Sequence, residues 1–198
     1  MDRLSVDYGN WQKYMNPNPL QRYLLARFLA TVARVVCRIK PGLILDVGCA
    51  EGFVIDYLQR TCNVRFVGVD IDQEALKRGI SLGLKVPLAV VDAHHLAFGE
   101  KSVDMVMSLE VLEHLPRPRQ ALKEMKRVTR RYVLLSVPYE PLFRGLNLLR
   151  GKHLRRWGND PEHLHCWTEF SFKALVREHL RIIEVHRPLP WFVVLAER

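Results

Sequence analysis

Apolar and polar residues alternate along this chain in two distinct rhythms. From Leu20 to Ile39, Leu24, Leu25, Phe28, Leu29 and Val32 recur three and four apart, which predicts a long amphipathic helix. Leu43 to Val47 is different: a short run, apolar on both faces, of the kind that suits a central parallel strand covered by helices on each side. Runs of similar length follow at Arg65–Val69, Val86–Val91, Val103–Leu109 and Tyr132–Val137. Helical spacing separates them at Phe53–Arg60, at Gln73–Leu82 before Gly83, and at Arg119–Val128. Strands alternating with helices predict βαβ units and a parallel sheet with right-handed crossovers. Beyond the fifth strand the rhythm breaks over Tyr139–Trp167, a basic, aromatic and histidine-rich stretch. A helix over Thr168–Leu180, with Thr168 as N-cap, then precedes strands at Ile182–Val185 and Phe192–Leu195. The short joint between those strands suits an antiparallel hairpin.

Four of the five early strands end in an informative residue: Gly48, Asp70, Asp92 and Glu110. A parallel sheet binds ligands beyond the carboxyl ends of its strands, so this repetition marks one edge as a candidate site. The turn Gly48-Cys49-Ala50-Glu51-Gly52 lets a ligand approach the backbone. A dinucleotide fingerprint would need glycine at positions 50 and 53, where Ala50 and Phe53 stand, and Phe53 would obstruct tight helix–strand packing. A P-loop is excluded because no Gly-Lys-Ser/Thr follows. Asp70 suits a carboxylate that accepts from both hydroxyls of a ribose; with Asp72 it could instead simply cap the helix starting near Gln73, or it could hold the diol while Asp72 caps. Asp92 could accept from an adenine amino group or simply close a turn.

Length and composition change this picture little. The chain has 198 residues, 48% of them hydrophobic, which fits one domain with a large core. There is no linker or repeat. A single domain over 1–198 is expected, with an N-terminal helical cap about 1–40 and a basic insert about 139–167. No run reaches membrane-spanning length, and no signal-peptide core precedes Tyr14. Cys37, Cys49, Cys62 and Cys166 form no zinc-ligand spacing, so no metal is expected and the cysteines read as reduced thiols of a cytoplasmic protein. Charge adds more. The net charge is +9, and Arg144, Arg150, Lys152, Arg155 and Arg156 follow one another without an acid. That segment, 144–156, is a solvated face or a contact for an anionic surface.

Four stretches together resemble the class I S-adenosylmethionine-dependent methyltransferases, in their ubiquinone-methyltransferase-like (type 11) branch. They are Leu43–Gly52, Val67–Asp72, Val91–Phe98 and Asp104–Leu115, in order and at matching intervals. The resemblance runs from about Ile39 to Val137 and more weakly through the last thirty residues. It implies an α/β three-layer Rossmann-like sandwich, with a mostly parallel seven-stranded sheet and an antiparallel C-terminal hairpin. It implies S-adenosylmethionine as cofactor and S-adenosylhomocysteine as product. Carried over residue by residue, Gly48 and Gly52 lie against the methionine part with Cys49 and Ala50 between them, and Asp46 supports the loop. Asp70 holds the ribose with Ile71 beside it, Asp92, Ala93 and His94 form the adenine edge, and Leu109 and Glu110 face the sulfonium. Ala50 stands where glycine is frequent, Ala97 where proline is frequent, and Thr129-Arg130-Arg131 replaces the usual glycine turn before the fifth strand.

Methyl transfer from a sulfonium is an in-line displacement that needs alignment and exclusion of water. A general base helps when the acceptor carries a proton, and His114, His163, His165 and Glu110 are the candidates. Tyr14 or Tyr8 could reach the methionine carboxylate or pack at a helix start. For the acceptor, a small anionic or lipid-like molecule explains the insert's mixture of arginines with Leu142, Phe143, Leu146 and Trp157 better than a nucleic acid does, and the insert is expected to form a lid. Methylation of nucleic acid, or cofactor binding without catalysis in a regulatory protein, are the alternatives. A dehydrogenase fits worse because the dinucleotide glycines are missing.

Overall fold

The computed structural model describes residues 14–139 and 164–198. The basic segment 144–156, Tyr8 and His163 lie outside the described residues, as does the expected lid.

Helix α1 spans Pro19–Ile39. Asn18 caps it by accepting from the backbone N–H groups of Leu20 (2.9 Å) and Gln21 (3.3 Å), and Pro19 sits where its missing N–H costs nothing. Strand β1 (Leu43–Val47), α2 (Phe53–Thr61), β2 (Arg65–Asp70), α3 (Gln73–Ser81) and β3 (Leu88–Val90) follow. Then come β4 (Val103–Leu109), a 3₁₀ turn (Leu112–His114), α4 (Pro118–Val128) and β5 (Thr129–Pro138). The described chain ends with α5 (Glu169–Arg177), β6 (Arg181–His186) and β7 (Trp191–Glu197).

The sheet order is β3-β2-β1-β4-β5-β7-β6. The first five strands are parallel, and β7 lies antiparallel between β5 and β6. This is the expected seven-stranded α/β sandwich with its C-terminal hairpin. Residues alternate between the two faces, as strand geometry requires. Val133, Leu135 and Val137 of β5 pack with α4 and α5 through Leu122, Met125 and Phe172. Ile44, Met105, Met107 and Leu134 pack on the other face with α1 and α2 through Phe28, Val32, Ile55 and Leu58. Burial on both faces accounts for the near-continuous apolar runs in the sequence.

Three expectations need correction. The third strand is shorter than Val86–Val91: Pro87 precedes it and it forms the sheet's edge, so only Leu88–Val90 pair with β2. The fifth strand is longer than Tyr132–Val137, running from Thr129 to Pro138, so the altered entry at Thr129-Arg130-Arg131 is itself strand. β5 begins as α4 ends, the ladder with β4 shifts register between Val103 and Met105, and Arg130 pairs with Asp104 at 2.9 Å. Most consequentially, the cysteines are not all reduced. Cys37 near the end of α1 and Cys62 at the C-cap of α2 form a disulfide, with Cα atoms 5.3 Å apart; Cys49 and Cys166 are free. The two helices meet at these ends, a proximity that the 25-residue separation did not reveal. The thiol argument for a reducing compartment therefore falls.

Candidate functional site

The strand order reverses between β1 and β4, because the chain winds outward from β1 toward β3 and then returns to the other side. A crevice opens where such a reversal occurs, beyond the carboxyl ends of the strands. A cavity lies there. Its floor includes Asp46 in β1 with Gly48, Cys49 and Ala50 after it, and Leu109 at the end of β4 with Glu110 after it. Tyr14 and Phe28 close one side, with Glu51, Phe53 and Val54 completing the wall.

The glycine turn is built from positive φ angles. Gly48 (φ 80°), Ala50 (46°) and Gly52 (76°) all lie in the left-handed region. A Cβ at Gly48 would meet Val111 Cγ2 at 2.3 Å, and one at Gly52 would meet Leu84 Cδ2 at 2.2 Å. Ala50 adopts the glycine-like conformation at a cost of about 1 kcal/mol. Its N–H donates to Asp70 Oδ2 at 2.7 Å, which offsets that strain. Asp70 Oδ1 accepts from Asp72 N–H at 2.9 Å. Asp72 is the cap of α3, accepting from Glu74 and Ala75 N–H groups, so the cap falls to Asp72 and not to Asp70. Each Asp70 oxygen accepts one backbone N–H, and a carboxylate oxygen has lone-pair capacity for more.

Phe53 does not press against the sheet as its bulk suggested. Its ring stacks on Tyr14 with centroids 4.6 Å apart. Tyr14 is thereby fixed over the cavity, where burial, then the Glu110, Asp46 and Glu51 carboxylates, push its phenol well above its usual value. It stays an O–H donor at any physiological pH. Asp46 is 4% exposed and has no hydrogen-bond donor among the described residues. Burial, then the negative Asp70, raise its carboxyl from 3.8 to about 8. Burial likewise pushes the Cys49 thiol up, helped by Asp46 and Asp70, so it is no nucleophile.

Glu110 carries a left-handed backbone, φ 60°, without being glycine. Ser136 of β5 holds both ends of it. The Glu110 N–H donates to Ser136 O at 3.1 Å, and Ser136 Oγ–H donates to Glu110 Oε1 at 2.9 Å. The strained backbone and the two Ser136 bonds hold Glu110 in a fixed orientation at the cavity. Glu51 is anchored too, with Oε1 accepting from Arg78 of α3 at 2.9 Å, while its buried Oε2 has no partner. Glu51, Arg78, Ser136 and Phe53's partnership with Tyr14 escaped sequence reading, because each joins elements far apart in the chain. Only Glu51 carried a local signal, its place inside the glycine turn.

Other expected site residues lie apart from this cavity. Ile71 is 71% exposed beside Asp70. Asp92 follows β3, where it accepts from the His94 N–H at 2.8 Å and meets His94 Nδ1 at 2.6 Å. The backbone N–H above all, then the imidazole, hold the Asp92 carboxyl below its usual value. Ala93 and His94 are buried behind it. Neither His114 nor His165 lines the cavity. His165 Nε2 meets Leu115 O at 2.9 Å, which makes that nitrogen the protonated donor and leaves Nδ1 as the acceptor. Its ring stacks on Trp167 at 5.2 Å. Of the four candidate bases, Glu110 alone reaches the cavity among the described residues.

These residues fit an adenosyl amino acid: a carboxylate at the end of β2 for a diol, an open glycine turn, and acids grouped where a cation would lie. Residues 45–136 match the family described as a methyltransferase domain. A probable tocopherol O-methyltransferase of rice is 35% identical over 95 residues, 45% of this chain and 26% of that protein. The chain spans between 26% and 34% of the length of the first curated relatives it matches. Among solved structures, the PH0226 protein of Pyrococcus horikoshii superposes with a TM-score of 0.72 at 18% identity, covering 94% of this chain and 95% of that one. The magnesium protoporphyrin IX methyltransferase of Synechocystis, with bound S-adenosylhomocysteine, gives 0.69 at 19% identity, covering 95% and 92%. These two likenesses show the fold. With the motifs and the strand order, the family match over just under half of the chain supports a class I S-adenosylmethionine-dependent methyltransferase of the type 11 branch.

Proposed function

We propose that this chain transfers a methyl group from S-adenosylmethionine to a small-molecule acceptor of anionic or lipid-like character. S-adenosylmethionine supplies a methyl group already activated on a positively charged sulfur. What the protein must supply is position and a dry, suitably charged cavity. The observation that carries the reading is the meeting of Asp46, Glu51 and Glu110 around Tyr14, directly beside the turn that Asp70 braces.

In this reading Asp70 accepts from the ribose hydroxyls and Asp92 from the adenine amino group, with Ile71 along the base. Gly48 and Gly52 let the methionine portion approach the backbone. The carboxylates of Asp46 and Glu110 face its ammonium and sulfonium charges, and the Tyr14 hydroxyl donates to its carboxylate. Glu110 is the group placed to receive a proton from an acceptor hydroxyl or amine. His114 and His165, lying off the cavity, support structure instead.

For the acceptor, support comes from relatives whose names give small molecules: tocopherol for the rice protein and magnesium protoporphyrin IX for the Synechocystis one. The test is transfer of labelled methyl from S-adenosylmethionine to a panel of phenolic isoprenoids, carboxylated metabolites and RNA. Label appearing in a small molecule is the expected result. Label in RNA alone contradicts the acceptor class. Binding without transfer to any of them favours the regulatory alternative.

A further inference from the structure

Helix α1 shows two unlike faces. Its inner face is apolar and buried, through Leu25, Phe28, Val32, Val35 and Val36. Its outer face should be an ordinary solvated surface, with acids and lysines interspersed. It is not. Leu20, Tyr23, Arg27, Ala30, Arg34 and Arg38 follow at intervals of three and four, all exposed, in one straight stripe. No aspartate or glutamate occurs anywhere from residue 8 to residue 45.

The arginines are only partly neutralised. Arg38 pairs with Glu184 at 2.6 Å. Arg27 lies over the Tyr23 ring, 5.8 Å from its centroid. Arg22 and Arg34 have no acidic partner among the described residues. Leu20 (52% exposed) and Tyr23 (59%) at the amino end of the stripe face solvent, as does Met15 (51%) just before the helix. Burying them in a core would have required a partner element, and none among the described residues covers them.

We propose that the outer face of α1 docks the protein on an anionic lipid surface. The stripe has the attributes of an interfacial helix: a straight rod about 30 Å long, basic residues along it, and apolar or amphipathic side chains at one end to enter the acyl boundary. Its sign is complementary to acidic headgroups, and each arginine at such a surface contributes to the attraction. Tyr23, with a polar tip and an apolar ring, suits the headgroup level. Nucleic acid would also attract the arginines. It gives no reason for methionine, leucine and tyrosine to be exposed beside them, and a lipid interface does. Docking in this pose brings the lipid beside the Tyr14 end of the helix, which walls the cavity. The proposal does not depend on which acceptor is methylated.

The test is co-sedimentation of the full chain with mixed phosphatidylglycerol–phosphatidylcholine vesicles, against pure phosphatidylcholine. Wild type should bind the mixed vesicles, weaken with added salt, and bind the neutral ones far less. Arg27→Gln/Arg34→Gln should lower partitioning by about thirtyfold, and Leu20→Ser/Tyr23→Ser should lower it while preserving the salt dependence. Both variants should bind S-adenosylhomocysteine as wild type does, which shows that they are folded. Equal binding to both vesicle types overturns the proposal. So does undiminished binding by both variants, which would move the contact to another face. Binding of homopolymer RNA in preference to vesicles, lost in Arg27→Gln/Arg34→Gln, overturns it in favour of nucleic acid.

Discussion

The acids at the cavity and the acids beside it are held in opposite ways. Asp70 and Asp92, beyond β2 and β3, accept backbone N–H groups at 2.7 to 2.9 Å. Asp46 is buried against the sheet with no donor among the described residues, and Glu110, on a strained backbone, accepts from the Ser136 hydroxyl. The first arrangement fixes a carboxylate in position, and at Asp92 it also favours the ionised form. It suits recognition of neutral donors such as hydroxyl and amino groups. The second keeps a proton on Asp46 that an arriving cation would displace. In the proposed reading, one side of the ligand is met by preformed geometry and the other by acids that respond to its charge.

Removing Asp70 should have the largest effect. Asp70→Ala takes away the acceptor for Ala50 and Asp72 N–H groups as well as for the ribose, and should weaken S-adenosylhomocysteine binding by about a hundredfold or more in calorimetry. Asp92→Ala should cost only about tenfold, because its carboxylate is exposed and lies apart from the cavity. Equal losses would erase the distinction drawn between the two acids.

Asp46 provides the sharpest contrast. The folded chain holds its proton up to about pH 8, whereas the unfolded chain releases it near 3.8. Between those values the unfolded state binds fewer protons, so this group makes stability fall as pH rises from about 4 to about 8, with no further change above. Asp46→Asn should flatten that part of the denaturation profile. At pH 7 the wild-type carboxyl is largely protonated. Binding of S-adenosylmethionine should then release a proton, detected as a dependence of binding heat on the buffer's ionisation enthalpy and absent in Asp46→Asn.

Glu110→Gln should change preference more than affinity. The sulfonium charge distinguishes cofactor from product, so loss of this carboxylate should lower binding of S-adenosylmethionine relative to S-adenosylhomocysteine by about fivefold. An unchanged ratio would place Glu110 away from the sulfur. The smallest effect concerns the turn. Ala50→Gly relieves the strain at φ 46° but loosens the unfolded chain, so stability should change by less than about 1 kcal/mol in thermal denaturation.

Much of this was legible before any coordinates. Local signals survived well: the β4 run Val103–Leu109, the Thr168 cap with its reciprocal Ser171 bonds, and the terminal hairpin all stand where periodicity put them. Strand ends also reported the site edge, because parallel topology delivers them to one side. What stayed hidden depends on contacts across long separations. Ser136 is one more polar residue in an apolar strand until Glu110 folds back onto it. Tyr14 is one of several aromatics until Phe53 stacks on it. Cys37 and Cys62 share no spacing rule, and only the packing of α1 against α2 brings them together. Asp46 looked like a loop support, and its burial beside Asp70 makes it a titrating group instead.

The central claim is that the cavity is built for an adenosyl amino acid with a positive charge. Calorimetric titration of the wild-type chain with S-adenosylmethionine, S-adenosylhomocysteine and NAD tests it most directly. The account predicts binding of both adenosyl ligands and none of NAD. NAD binding, or failure of a folded protein to bind either adenosyl ligand, would contradict it.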